Sequence, residues 1–349
     1  MSSKTSTIAV LGHFADGSDR VDGQILRTRI ARDELSRRLG ADRVVWADTG
    51  FLKQHPIRSL LNISKALKQA DTLVILPGPR GLSLLLPWYL RWKRKTGGAI
   101  HYLVIGGWLP RHLQNIPGEI NRVKQCDSIH VQTQRMKREL EDMGLDQVHL
   151  LPNARRFPLD RPVSGPIGSP LRLVFLSRVT EAKGLDLAVD AVRTINEEAA
   201  EPQVTLTIYG QIQTGQEYWF ATLQERFTSE ITYAGSLRPD EINDHLIQHD
   251  VMLFPTWYSG EGFPGVLIDA MIAGIPVIAS DWIDNAEYVR EGDTGLLFEA
   301  KNMNALTAKI LWMVHHPDEV MRMKHVSAGE AEKYHVDVIW PDLLNHIKI

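Results

Sequence analysis

The chain has one cysteine, Cys126, among its 349 residues, so no internal disulfide can staple it and a small disulfide-built scaffold is excluded. Nowhere do eighteen apolar residues run uninterrupted, which leaves no segment that reads as a membrane-spanning helix. The opening MSSKTSTIAVLGHF lacks the charged stretch and long apolar run of a secretory signal, and the expectation is a cytoplasmic protein. Metal-ligand spacings are missing as well: there is no C-x-x-C, no H-E-x-x-H and no Asp-x-Asp. A G-x-S-x-G nucleophile elbow is absent, as are internal repeats, low-complexity tracts and any nucleic-acid-binding motif on a basic patch.

What is present is ordinary for a soluble globular protein: 44% hydrophobic and 23% charged residues, in a length that suits two domains. The net charge of −3 hides an asymmetry, because residues 1–165 hold 26 Lys and Arg against 15 Asp and Glu, and the remainder 13 against 27. A basic first half and an acidic second half point to different partners for each, or to mutual attraction.

Apolar runs at 7–12, 43–47, 72–76, 99–105, 128–131 and 148–151 alternate with helical patterns, the signature of a parallel sheet covered on both faces. The stretch 152–170, PNARRFPLDRPVSGPIGSP, is dense in proline, glycine and serine and reads as a linker. Beyond it, runs at 171–176, 204–209, 231–235, 251–254 and 275–279 repeat the alternation. The chain is therefore expected to form two doubly wound α/β domains, 1–160 and 161–325, followed by a C-terminal segment, 326–349. From Asn302 on it reads mostly helical, with Pro317 and Pro341 as breaks.

One stretch organises the second half: FPTWYSGEGFPGVLIDAMIAGIPVIASD, residues 254–281. A buried strand ends in a glycine- and proline-rich loop, a helix begins near residue 263, Gly274 caps it, and a second strand follows. Such a loop puts free N–H groups and a helix dipole at a strand's carboxyl end, where an anion, above all a phosphate, is favoured. Gly262 and Gly265 would let a ligand approach the backbone, while Glu261 and Asp269 supply two carboxylates. Upstream, Arg178 and Lys183 lie between the strand at 171–176 and the following helix, two cations suited to a departing diphosphate.

The run Glu261-Gly262-Phe263-Pro264-Gly265-Val266, with Asp269-Ala270-Met271 and Gly274-Ile275-Pro276-Val277-Ile278-Ala279, resembles the E-x7-E signature of retaining GT-B glycosyltransferases, most closely glycosyltransferase family 4. Arg178 to Gly184 resembles the R-x4-K-G element of the same family. The resemblance covers the second domain nearly throughout, where Asn285, Glu287, Gly292 and 295–298 continue it, and is diffuse in the first. It implies a GT-B fold, with the two sheet domains facing across a cleft and the last helix crossing back to brace the first. It implies transfer of a sugar from a nucleotide diphosphate sugar to a hydroxyl acceptor, with retention and with neither a metal nor another cofactor.

Site roles follow from the same resemblance. Glu261 would hold the donor sugar and Asp269, where the family usually has Glu, the ribose. Arg178 and Lys183 would hold the diphosphate with the N–H groups of Gly262, Phe263, Pro264, Gly265 and Val266 as far as each has one. Gly23, with Gly17 second, would face the donor in the first domain, and the turns at Gly210 and Leu237 would seat the nucleobase. The family's catalytic-domain histidine has no counterpart where Gly106-Gly107-Trp108 stand, and His13 is the substitute. The expected partners are the donor and a glycan or polyprenyl-diphosphate-linked acceptor, with no nucleic acid. The segment GLSLLLPWYLRWKRK, residues 81–95, has aromatics and cations that suit a membrane surface at the inner face, or alternatively a helix packed on the sheet. A basic stretch at 52–68 adds to the membrane reading. Two other readings stay open: a non-catalytic sugar-nucleotide-binding regulator or partner subunit, and a nucleotide-sugar epimerase or hydrolase.

Overall fold

The computed structural model describes residues 6–15, 23–161 and 164–347. They group into two α/β units. One takes in the described residues through Asn153, the short stretch Gly260–Phe263 and the chain from Val336 on; the other takes in Ala154–Ser259 and Pro264–His335.

In the first unit, β1 (Ile8–Gly12), β2 (Val44–Asp48), β3 (Thr72–Leu76), β4 (Ala99–Leu103), β5 (Ser128–Val131) and β6 (Val148–Leu150) form a single sheet in the order β2-β1-β3-β4-β5-β6. Every neighbouring pair is parallel. The sequences IAVLG of β1 and TLVIL of β3 are buried at every position, as a sheet clad on both faces requires. The connections are α1 (Gly23–Leu39), α2 (Pro56–Gln69), α3 (Pro79–Thr96), α4 (Leu109–Asn115), α5 (Ile120–Val123) and α6 (Gln134–Asp142). Right-handed crossovers put α2 and α3 on the same face, since β2 to β3 and β3 to β4 step in one direction. The Trp92 indole N–H of α3 donates to the Leu67 carbonyl of α2 at 2.8 Å.

Of the two readings of 81–95, the structure selects the helix packed on the sheet over aromatics laid on a membrane. Leu82, Leu85, Leu86, Tyr89, Leu90 and Trp92 are buried in the core of the first unit, so the apolar face of α3 is spent on the sheet. Pro87 lies inside that helix and is exposed, where its missing N–H costs one hydrogen bond and no packing.

In the second unit, β7 (Leu171–Leu176), β8 (Val204–Tyr209), β9 (Ile231–Tyr233), β10 (Val251–Phe254), β11 (Val277–Asp281) and β12 (Gly295–Glu299) form another sheet in the order β12-β11-β10-β7-β8-β9, again parallel throughout. Its helices are α7 (Leu185–Glu197), α8 (Glu217–Gln224), α9 (Ile242–Leu246), α10 (Gly265–Ala273), α11 (Met303–His315) and α12 (Pro317–Glu330). Sequential strands run outward from β7 in one direction and from β10 in the other, so the crossovers part between these two neighbours. The strand expected at 275–279 begins two residues later, because Pro276 has no N–H for the ladder; its carbonyl instead accepts from Met252 N–H at 2.9 Å. The edge strand β12 was not foreseen: its sequence, GLLFE, is short and follows a turn rather than a helix.

Asp250, one residue before β10, gathers the base of this unit. Its carboxylate accepts from the N–H groups of Gly168 (3.1 Å) and Arg172 (3.0 Å), from the Arg172 guanidinium (2.8 and 2.9 Å) and from Lys324 Nζ of α12 (3.0 Å). The side chains of Asp250 and Lys324 are both 0% exposed. Burial alone would raise the Asp250 carboxyl, but the hydrogen bonds from Arg172 and Lys324 outweigh it and hold its pKa below the ordinary value.

The last helix, α13 (Val336–Ile347), belongs to the first unit. Pro341 sits inside it, and the helix runs on through the expected break. Arg37 Nη2 of α1 donates to Asp337 at 2.8 Å and Arg38 Nη2 to the Val336 carbonyl at 3.1 Å. At its far end His346 stacks on His149 of β6, ring centroids 3.8 Å apart, and lies 5.3 Å from His130 of β5. Parallel register puts His130 beside His149 and His101 of β4 beside Ser128. The Ser128 hydroxyl lies 2.7 Å from His101 Nδ1 and 2.7 Å from His130 Nε2. One hydroxyl can donate to one ring nitrogen and accept from the other, which serves both facing nitrogens as long as one of the two rings is neutral.

Among the described residues, no helix is long and apolar enough to cross a membrane.

Burial lowers His101 to about 4, and burial together with the neighbouring His149, His346, His101 and Arg27 holds His130 well below the ordinary value. The unfolded chain therefore binds protons that the folded one refuses, and stability present above about pH 6.5 is lost as pH falls toward 4. Urea unfolding at pH 5 should show a stability about 2 kcal/mol or more below that at pH 7. His130→Gln should flatten that slope; an equally steep slope in the variant would place the titrating group elsewhere.

Candidate functional site

Two loops leave the carboxyl ends of β7 and β10, the neighbours between which the crossovers part. They are laced together before any ligand is considered. Trp257 N–H donates to the Ala182 carbonyl at 2.9 Å, and the Ser280 hydroxyl of β11 holds the second loop by donating to the Thr256 carbonyl at 2.5 Å. Gly184 has φ of +74°, and a Cβ there would lie 2.1 Å from the Pro255 carbonyl oxygen. Only glycine satisfies both the left-handed backbone and the backbone-to-backbone approach.

This lacing brings the two predicted cations together. Lys183 is buried, with Nζ 5.7 Å from the Phe254 ring centroid and 5.1 Å from that of Tyr258. Arg178 is exposed, with its guanidinium carbon 5.6 Å from the same Tyr258 ring and Nη1 3.3 Å from Gln213 Oε1. The Tyr258 ring attracts both cations, which draws them to one side chain. Gly210, at φ +148°, would put a Cβ 1.6 Å from the Ser177 carbonyl oxygen, and its N–H donates to the Gly235 carbonyl at 2.8 Å. It thus fixes the start of the β7 loop against the turn after β9, where Leu237 is half-buried.

Seven residues beyond Tyr258, α10 begins at Gly265 with no side-chain cap on its N-terminus, and Gly274 ends it in the left-handed conformation, as expected. Pro264 and Val266 flank that start, Pro264 buried and Val266 half-buried. Asp269 lies buried on this helix, bridged by Arg155: Nε to Oδ1 is 2.7 Å and Nη2 to Oδ2 is 3.2 Å. Arg155 went unnoticed in the sequence, where the only signal was a pair of arginines inside a proline-rich linker. Its guanidinium fills the space where a Cβ of Gly265 would stand, 2.2 Å from Nη2.

Glu261, Gly262 and Phe263 group with the first unit. Glu261 is buried, and a Cβ on Gly107, beyond β4, would lie 1.9 Å from its carbonyl oxygen. Gly107 N–H donates to the Gly260 carbonyl at 3.2 Å, and Asn153 Nδ2 donates to the Phe263 carbonyl at 2.6 Å. A Cβ on Gly262 would meet Gln132 Oε1 at 2.5 Å. The expectation that Gly262 and Gly265 leave room for a ligand is therefore corrected: the space a side chain would take at each is filled by protein. Gly106-Gly107, read only as a missing histidine, proves to be the surface on which the Glu261 backbone rests.

The remaining predicted residues are more scattered. The His13 ring lies against Gly50, whose Cβ would come within 1.9 Å of it. Gly23 is exposed at the start of α1, and a Cβ there meets nothing within 4 Å. Gly17 lies outside the described residues. Among the described residues no group of three or more His, Cys, Asp or Glu is arranged to hold a metal ion.

A fold of two parallel six-stranded sheets clad by helices is that of the GT-B proteins. Across 97% of this chain and 98% of the other, it superimposes on Anabaena Alr3699/HepE in complex with UDP, with a TM-score of 0.78 at 17% identity. Residues 170–316 match the family model of the glycosyl transferases group 1. The sequence resemblance is thereby borne out: residues 170–316 are similar to the group 1 (family 4) glycosyltransferases, and the chain has the GT-B fold. Its curated relatives include the amylovoran biosynthesis glycosyltransferase AmsK of Erwinia amylovora, 27% identical over 167 residues, which are 47% of this chain and 40% of that protein. Glycogen synthase of Mycobacterium tuberculosis is 25% identical over 237 residues, 65% of this chain and 54% of its own length. The chain thus spans about half or less of the length of these relatives.

Removing Arg155 strands the Asp269 carboxylate against the helix. Arg155→Ala should lower unfolding stability by about 3 kcal/mol in calorimetry, and Arg155→Ala with Asp269→Ala should recover part of that loss. Equal losses in the single and double variants would mean that the pair contributes only its packing.

Proposed function

We propose that this chain transfers a sugar from a nucleotide diphosphate sugar to a hydroxyl acceptor with retention of the anomeric configuration. The observation that carries the reading is the approach of Arg178 and Lys183 to one ring, Tyr258, in the loops beyond β7 and β10. In this reaction the bond between the anomeric carbon and the diphosphate oxygen breaks, and its electron pair leaves with the diphosphate. The acceptor oxygen bonds to the same carbon, and its proton passes to the departing phosphate oxygen. Charge grows on the diphosphate as the bond opens, so cations and helix N–H groups already in place lower the barrier without reorganising. The uncapped start of α10 supplies such N–H groups. Neither a metal nor another cofactor is needed for the charge to be met.

Glu261 would hold hydroxyls of the donor sugar. Asp269 would receive the ribose; two of its roughly four lone-pair sites serve Arg155, and the others are left to accept hydroxyls. Gly210 and Leu237 would border the base through backbone atoms, while Gly23, Gly17 and His13 would meet the donor from the first unit. The donor class we favour is a uridine diphosphate sugar, because HepE is known in complex with UDP and with UDP-glucose. A lipid-linked glycan in polysaccharide assembly is the acceptor we favour, in line with the name of AmsK. We place this chemistry in the cytoplasm, at the inner face of the membrane.

Arg178→Ala and Lys183→Ala should each lower kcat by about a hundredfold to a thousandfold, measured as donor consumption with a panel of UDP-sugars and a lipid-linked glycan acceptor. UDP should raise the melting temperature of the wild type and fail to raise that of the double variant. Nuclear magnetic resonance of the product should show the donor's anomeric configuration. Inversion, or equal consumption with no acceptor present, would overturn the transferase reading in favour of another chemistry on the same donor.

A further inference from the structure

The second basic stretch of the first unit forms α2, and its outward face is apolar at one end and cationic at the other. Ile57 is 75% exposed, Leu60 43% and Leu61 65%, three large apolar side chains within five residues. Ser59, Ile63, Ala66 and Leu67 take the opposite, buried face. Ile57 and Leu61 share a ridge with Lys65 and Lys68, one to three turns on, and both lysines are exposed. The neighbouring α3 adds Leu84, 66% exposed, near the same end of a parallel helix. Single exposed leucines are ordinary on a protein surface; a cluster like this is not.

The charge around the cluster is predominantly positive, with Asp48 of β2 lining the same recess as Arg58 and Lys65. Residues 49–118 contain ten Lys and Arg and a single acid, Asp71, whose carboxylate accepts from Thr7 N–H at 3.0 Å. A second copy of the chain laid on this face would bring the same cations against each other. Lipid phosphates would neutralise them, and the acyl boundary would take up the apolar end.

We propose that α2 docks this protein on an anionic phospholipid membrane, with Ile57, Leu60 and Leu61 entering the headgroup–acyl boundary and Arg58, Lys65 and Lys68 meeting lipid phosphates. The aromatics of α3, which one reading of the sequence would lay on the lipid, take no part. The inference deepens the placement at the inner face of the membrane proposed above, but its test needs neither donor nor acceptor.

Flotation of the full chain with phosphatidylcholine vesicles, with and without phosphatidylglycerol, tests it in the absence of any sugar nucleotide. The wild type should float with the anionic vesicles and not with the neutral ones, and binding should weaken as salt rises. Ile57→Ser with Leu61→Ser, and separately Lys65→Glu with Lys68→Glu, should each lower partitioning about tenfold or more. Tyr218→Ser, an exposed aromatic of α8, should leave it unchanged, and all variants should melt with the wild type. Absence of flotation, equal flotation with neutral vesicles, or undiminished binding by either pair would overturn the proposal. A dimer in sedimentation that Leu61→Ser disperses, without vesicle binding, would overturn it too and make the face a contact between copies.

Discussion

Everything in the second unit follows from the pairing of β7 with β10. These strands are distant in sequence, yet they lie side by side and parallel, with Leu173 opposite Val251 and Phe175 opposite Leu253. Because the crossovers leave them in opposite directions, no connecting helix covers the ground beyond their carboxyl ends. Both loops that begin there are free to carry function, and both do carry the charged residues of the candidate site. A strand order without that reversal would have put Arg178 and the 255–264 loop on separate ridges of the sheet.

What holds the two loops is backbone meeting backbone. Gly184 rests on the Pro255 carbonyl and Gly210 on that of Ser177; in the first unit Gly107 rests on the Glu261 carbonyl. Contacts of this kind leave little slack, since a single methyl group at any of them would overlap an oxygen atom. The corner that carries Arg178 and Lys183 is thus shaped by steric exclusion within the chain itself, and the proposed chemistry would draw on such preorganisation. Glycines in glycosyltransferase-like loops are easily credited to the ligand; here most of them are explained by the chain itself.

The sequence made the sheets and the cations legible because each has a local signature. Buried parallel strands are continuous apolar runs, and Arg178, Lys183, Glu261 and Asp269 stand at fixed distances from strand ends. What it concealed are relations between stretches far apart in number. Arg155 acts on Asp269 across more than a hundred residues, and nothing in PNARRFP marks it as the partner. In sequence the face of α3 stays open between two readings for a similar reason: tryptophan and tyrosine between leucines look alike whether they meet lipid or a sheet. Only burial, which depends on the tertiary fold, separates α3 from α2, whose plainer sequence carries the uncovered apolar residues. The edge strand β12 shows the limit from another side, being too short for a period to declare itself.

The ammonium of Lys324 has no water to retreat to, and Asp250 is the carboxylate it is paired with. That one pair ties a helix near the end of the second unit to the linker at Gly165 and Gly168 and to Arg172 on its first strand. Peeling α12 away would take one of its two cationic partners from the buried Asp250 carboxylate and leave only Arg172 to hold it at the foot of β7 and β10, the very strands whose upper ends hold the cations. The helix and the central strands are therefore bound to open together, so that amide exchange along α12 reports on whole-unit unfolding instead of local fraying.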